Sequence, residues 1–333
     1  MQGKIFKALV VEEFSENQFK SGIKERSTDE LPEGELLIRV HYSALNYKDA
    51  LSARGHKGIT RKYPHTPGVD AAGVVEESRS HEFSAREKVL VTGYDLGMNT
   101  SGGFGQYIRV PEGWVVKMPD GMTLRESMIY GTAGFTAGIA MYEFERNEIT
   151  PDKGKVLVTG ATGGVGCLAV AMLTKAGYYV VASTGKPDKE DFLKKIGAKE
   201  VICREDVNDK SEKPLLLKRW LGAIDNVGGN TLSTVIRSLE HRGVVASIGL
   251  VQSDKLAMTV YPFILRGVRL IGIDSAETPM EYRLKIWDNI GNKWRIDEPG
   301  QLVKECKLET LENEIELILK GGQTGKVIVN LID

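Results

Sequence analysis

The stretch Val156–Gly166 reads VLVTGATGGVG: apolar β-formers run to Thr159, and a glycine-rich turn opens onto a helix from about Gly163. Three glycines have separate tasks in such a turn. Gly160 permits the tight bend, Gly163 lets the backbone approach a pyrophosphate, and Gly166 lets the helix pack closely on the strand. Unpaired N–H groups at the helix N-terminus then bind the anion. Leu168, Ala169, Met172 and Leu173 continue the helix, and Tyr178 to Ala182 supply the next strand. That context makes the turn a dinucleotide-binding site.

The end of the second strand decides which dinucleotide. An NAD site places Asp or Glu there, about 20 residues on, to hold the ribose hydroxyls. This chain has Ser183, Thr184, Gly185 and Lys186 instead. No acid repels a 2′-phosphate, two hydroxyls can donate to it, and Lys186 supplies a charge. Arg204, after the apolar strand Glu200–Cys203, is a second cation for it. The competing reading leaves Lys186 and Arg204 as solvating charges on two loops. On the first reading the cofactor is NADPH.

A length of 333 residues suggests about two domains, and 41% hydrophobic content fills a sizeable core. With 44 basic and 45 acidic residues and no long charge block, neither nucleic acid nor another polyanion is an expected partner. The opening MQGKIFKALVVEEF carries charges within its apolar run and lacks a small-residue cleavage site, unlike a signal peptide. No apolar stretch is long enough to span a membrane. Cys167, Cys203 and Cys306 are too far apart for a zinc framework and odd in number, which suits a reducing, cytoplasmic compartment.

Taken in order, residues 4–12 and 35–42 read as strands, and a helix follows from Tyr47. Asn46 at its N-cap and Asp49 three residues later form a variant capping box. Capping alone accounts for both residues, whereas Tyr47 at the first helical position is either a packing residue or a donor aimed at a ligand. Short strands with frequent turns follow, including Glu87–Gly93 and Tyr107–Val110, as in an irregular β-rich domain. His41, His56, His65 and His81 are scattered without neighbouring cysteines and read as structural or surface residues. After Pro119 helices appear. Strands near Lys155, Tyr178, Lys199, Ala223 and Val244, with a sixth at Arg269–Asp274, alternate with helices as in a doubly wound parallel sheet. The segments Asn226–Gly228 and Ile248–Leu250 then fall at strand carboxyl ends, where such sheets bind ligands. The tail reads as a helix from Thr278, a helix over Leu308–Lys320 and a strand over Lys326–Leu331.

These stretches resemble the medium-chain dehydrogenase/reductase superfamily, specifically its zinc-free YhdH/YhfP-type quinone oxidoreductases, whose relatives include acrylyl-CoA reductases. The likeness is carried by SALNYKDAL from Ser43, PHTPGVDAAGVV from Pro64, GTAGFTAG from Gly131, VLVTGATGGVG, VVASTGK from Val180 and TVYPFILRGVRLIGIDS from Thr259. It implies an α/β fold: a Rossmann doubly wound parallel sheet over residues 125–275, and a GroES-like β-rich catalytic domain formed by 1–124 and 276–333. It also implies a homodimer with NADPH between the domains. Cofactor contacts are implied at Tyr47, Thr162, Gly163, Gly164, Val165, Thr184, Gly185, Lys186, Arg204, Leu250, Ile264 and Ser275, beside the strand-end residue Asn226. Two features depart from the pattern: the loop NTSGG from Asn99, and Lys326, where relatives usually carry Arg.

A short-chain dehydrogenase would need a Tyr-x-x-x-Lys pair, and none of the eleven tyrosines has a lysine four residues on. A zinc alcohol dehydrogenase needs cysteine or histidine ligands in its first domain, and no cysteine precedes Cys167. No metal is therefore expected. Without metal or a Tyr–Lys pair, conjugate reduction asks less of the protein than alcohol oxidation. The expected chemistry is hydride transfer to the β-carbon of an enone, quinone or enoyl thioester, with Asn46 and Tyr47 as candidate donors to the enolate oxygen. A non-catalytic NADPH-binding scaffold or redox sensor is the alternative.

Overall fold

The computed structural model describes residues 3–332, which form two compact units. The first runs to Thr132 and takes in Ala276–Leu284 and the chain from Pro299 onward; the second comprises Ala133–Ser275 and Lys285–Glu298. This division differs from the expected breaks in two places. The first boundary falls after Thr132 rather than residue 124, and Lys285–Glu298 joins the second unit. There Trp287 stacks on Phe135 with centroids 6.0 Å apart, and Ile286 and Ile290 lie against Gly138.

In the first unit β1 (Ile5–Ser15) and β2 (Gln18–Ser27) form an antiparallel hairpin. Its second strand was not legible in the sequence, because the polar run QFKSGIKERS acquires strand geometry only by pairing with β1. Next come β3 (Leu36–Leu45), α1 (Tyr47–Ala53), β4 (Asp70–Ser78), β5 (Lys88–Thr92), β6 (Tyr107–Val110) and β7 (Val115–Lys117). The apolar faces of these strands meet in a core that includes Val11, Leu36, Ile38, Val89 and Phe104.

Helix α2 (Leu124–Arg146) is broken at Gly131, whose φ of 48° and ψ of −153° are open only to glycine at reasonable cost. Beyond it the second unit alternates β8 (Lys155–Val158), α3 (Gly164–Lys175), β9 (Tyr179–Thr184), α4 (Glu190–Lys195), β10 (Glu200–Cys203), β11 (Trp220–Asp225), α5 (Gly229–Arg237), β12 (Leu239–Ser247), α6 (Tyr261–Arg266) and β13 (Arg269–Gly272). The six strands are parallel in the order β10-β9-β8-β11-β12-β13. Strand order therefore reverses between β8 and β11, the position at which open α/β sheets bind ligands beyond their carboxyl ends.

After α7 (Met280–Gly291), β14 (Val303–Lys307), α8 (Leu311–Leu319) and β15 (Lys326–Asn330) return the chain to the first unit. There the sheet order is β14-β15-β3-β4-β5-β7, with β6 also on β3. Strand β14, VKECK, lacks an apolar period and is held by parallel pairing with β15. Among the described residues no helix is long and apolar enough to cross a membrane.

Candidate functional site

At the end of β8 the glycine turn has the expected build. Gly160 has a φ of 59°. A Cβ on Gly166 would lie 2.3 Å from the Gly160 carbonyl oxygen and 2.7 Å from the Ala161 Cα, so only glycine lets α3 approach the strand this closely. At Gly163, the N-cap of α3, a Cβ would meet nothing nearer than 3.4 Å. The fold itself thus tolerates a side chain there. A bound phosphate would supply the missing reason for glycine. Gly164 and Val165 are the first two residues of α3, so their N–H groups lack partners within the helix and could meet an anion.

The end of β9 gathers the residues read as the 2′-phosphate site. Thr184 Oγ1 lies 3.3 Å from Thr162 Oγ1 and accepts the Lys186 N–H at 3.0 Å. The Arg204 side chain, 67% exposed, reaches back from the end of β10 over Gly185, where an added Cβ would lie 2.6 Å from its Cζ. Glu205 Oε1 is 3.4 Å from Arg204 Nε. Burial pushes the Lys186 ammonium down, and an anionic group alongside would favour its charged form. Two cations, a hydroxyl and open backbone fit a phosphate monoester.

Beside the turn, the sequence reading missed Asp225. This carboxylate, fully buried at the end of β11, accepts Thr159 Oγ1 at 2.7 Å and the Gly228 N–H at 2.7 Å. Burial pushes its pKa up. Asn226 clips the same two strand ends together, its amide donating to the Thr159 carbonyl at 2.8 Å. Gly228 leaves room for Leu250, and Leu250 and Ile264 are both exposed, at 66% and 68%. Ser275 ends the long first segment of this unit.

The first unit holds a separate polar cluster where β3 meets α1. Asn46 is the N-cap of α1 within the expected capping box, and its backbone N–H donates to Asp49 Oδ2 at 2.8 Å. Its amide also has partners beyond that box. Asn46 Oδ1 accepts Lys326 Nζ at 2.6 Å, and Asn46 Nδ2 donates to Asp70 Oδ2 at 2.8 Å and Asp49 Oδ2 at 3.2 Å. Its amide is therefore engaged on both ends. The sequence left Asn46 open between a cap and a donor to substrate, and these contacts give its amide partners within the fold. Tyr47, the first residue of α1, is 55% exposed, and its hydroxyl has no hydrogen-bond partner among the described residues.

Asp49, Asp70 and Lys326 are buried together. Asp70 Oδ1 accepts both the N–H and the hydroxyl of Thr132, at 2.8 and 2.6 Å, and Asp49 Oδ1 accepts the Val69 N–H at 2.8 Å. Burial first, then the neighbouring Asp70 carboxylate, push the Asp49 pKa up to about 7. Lys326 had stood out in the sequence only as a departure from the family pattern, and nothing there singled out Asp70. His65 is buried with Nε2 2.9 Å from the Gly97 carbonyl, as a structural histidine should be. Among the described residues no three His, Cys, Asp or Glu side chains are grouped to hold a metal.

Comparison with known proteins defines the class. A profile described as the alcohol dehydrogenase GroES-like domain matches residues 32–120, and one described as zinc-binding dehydrogenase matches residues 164–290. Acrylyl-CoA reductase AcuI of Ruegeria pomeroyi is 40% identical over 98% of this chain and 99% of its own. The crystal structure of the Bacillus subtilis protein YhfP with NAD bound is 43% identical, with a TM-score of 0.96 over 98% of this chain and 100% of that one. That of Escherichia coli K-12 YhdH with bound NADPH is 39% identical, with a TM-score of 0.94 over the same shares. The chain belongs to the medium-chain dehydrogenase/reductase superfamily, in the branch of the YhfP, YhdH and AcuI proteins.

Proposed function

We propose that this protein is an NADPH-dependent reductase that delivers hydride to an activated carbon–carbon double bond of an enone, quinone or acrylyl-CoA-like thioester, without a metal. The observation that carries the cofactor is the approach of the Arg204 guanidinium to Gly185, between Thr184 and Lys186 at the end of β9. AcuI's named activity supports the enoyl thioester as one acceptor.

NADPH, when bound, supplies the hydride. The glycine turn and the N-terminus of α3, from Thr162 to Val165, would hold its pyrophosphate, while Asp225 and Asn226 keep the two strand ends beside that turn in register. Leu250, Ile264 and Ser275 would complete the cofactor contacts. Hydride arriving at the β-carbon moves an electron pair onto the acceptor's carbonyl oxygen. Tyr47 donates its hydroxyl hydrogen to that oxygen, and Asn46 holds the helix start from which Tyr47 projects. A proton from the medium then completes the saturated product.

The active form is a homodimer paired through β13, the outer strand of its sheet. Leu270 on that strand is 37% exposed, and Val260 and Leu265 nearby in sequence are 65% and 54% exposed. Three free cysteines suit a reducing cytoplasm. Incubation with NADPH and a panel of enones, quinones and acrylyl-CoA, read by NADPH consumption and by saturated or quinol product, tests the assignment. Tight NADPH binding with no consumption across the panel would instead establish the scaffold reading.

A further inference from the structure

We propose that Lys326 is a positioning residue: with Asp70 it fixes the Asn46 amide, and through it the first turn of α1 that carries Tyr47. The inference rests on the role given to Tyr47 above. Lys326 opens β15, a strand otherwise built for the core, and its side chain is 1% exposed. Burying an ammonium is costly, and an apolar residue would fill the same space without that cost. What the cation does there is specific. Its Nζ lies 3.0 Å from the Leu45 carbonyl oxygen and 2.6 Å from Asn46 Oδ1. Lys326 thus grips the two residues directly before Tyr47, one by its backbone and one by its side chain.

That grip also fixes which way the Asn46 amide faces. With Oδ1 on the ammonium, Nδ2 must point to the carboxylates of Asp70 and Asp49, at 2.8 and 3.2 Å. A flipped amide would set its NH2 against a cation and its oxygen against two acids. Asp70 is itself held, since Thr132 takes its other oxygen and a Cβ at Gly131 would come within 2.6 Å of Oδ2. Asp70 Oδ2 lies 3.8 Å from Lys326 Nζ, so the charges balance without a direct hydrogen bond. Three segments distant in sequence therefore converge on one helix start.

The test uses the full-length protein with an acceptor that the wild type reduces. Lys326→Met and Lys326→Arg are compared in wild-type and Tyr47→Phe backgrounds by kcat, acceptor KM, NADPH Kd and Tm. Misplacing a reacting group by about 1 Å costs about a hundredfold. Lys326→Met should accordingly lower kcat about tenfold to a hundredfold, with NADPH Kd nearly unchanged and Lys326→Arg restoring most of the loss. In the Tyr47→Phe background Lys326→Met should add little, because the hydroxyl that it positions is gone. A loss that multiplies in full on Tyr47→Phe, or folded Lys326→Met with wild-type kcat, overturns the proposal. If Lys326→Met does not fold, Asp70→Asn, which weakens the Nδ2 side of the amide and removes the countercharge of Lys326, is read by the same criteria. Tyr47→Phe with unchanged kcat overturns both this inference and the reading on which it rests, whereas a Tyr47 effect without a Lys326 effect overturns this inference alone.

Discussion

Arg204 lies across Gly185 so closely that a Cβ at position 185 would sit 2.6 Å from both its Cζ and its Nε. The contact places a guanidinium beside Thr184 and Lys186, although Arg204 and Gly185 come from different strand ends. A hydrogen bond to a charged group contributes about 1.5–3 kcal/mol net. Exposure and the nearby Glu205 reduce what Arg204 adds, so Lys186 and Arg204 together contribute about 1.5–3 kcal/mol toward the 2′-phosphate. NADPH should therefore be favoured over NADH about tenfold to a hundredfold in kcat/KM. The double variant Lys186→Ala/Arg204→Ala should lose most of that preference with NADH kinetics nearly unchanged. Gly185→Ala should weaken it in part without lowering Tm, since only the end of a flexible side chain must move.

Tyr47→Phe should reduce kcat about tenfold or more while NADPH Kd stays within about twofold, because a donor to a developing oxyanion acts in the transition state. Steady-state kinetics beside a fluorescence titration of NADPH separate the two effects. Unchanged turnover would return Tyr47 to packing.

Asp49 makes stability depend on pH in a defined direction. Its pKa is raised to about 7 in the folded protein, against about 3.9 for an ordinary aspartate. Between those values the unfolded chain has released a proton that the folded chain keeps, so rising pH favours unfolding. The contribution is full below about 3.9 and is lost as pH passes about 7. Melting curves from about pH 4 to 8 should show Asp49→Asn losing this part of the slope. A variant with the wild-type slope would place Asp49 outside the titration.

Elemental analysis should find no stoichiometric zinc, and activity should survive a chelator. One matching profile is described as zinc-binding dehydrogenase, yet the buried carboxylates Asp49 and Asp70 are committed to Asn46, Thr132, Val69 and Lys326. One zinc per chain would refute this.

Light scattering at micromolar concentration should give twice the chain mass. Leu270→Glu, which puts a charge on the outer strand β13, should shift the protein toward monomer. A wild-type monomer would rule out pairing through that edge.

The glycine turn was legible in the sequence because everything that it needs is local: Thr159 to Gly166 contains the strand end, the bend and the helix start. The parallel sheet was legible for a related reason, since buried strands such as KVLV and YVVAST read as continuous apolar runs whatever their neighbours. Strands β2 and β14 were not, because their partners confer the strand geometry. The Tyr47 corner lies at the far end of that scale. Asn46 and Asp49 could be recognised as a cap from their spacing alone, but Asn46 meets Lys326 across 280 residues, and only the closing of β15 against β3 brings them together. Local spacing specifies a cap; a buried charge cluster depends on where the sheet sets each strand end, and that is decided by the packing of the whole domain.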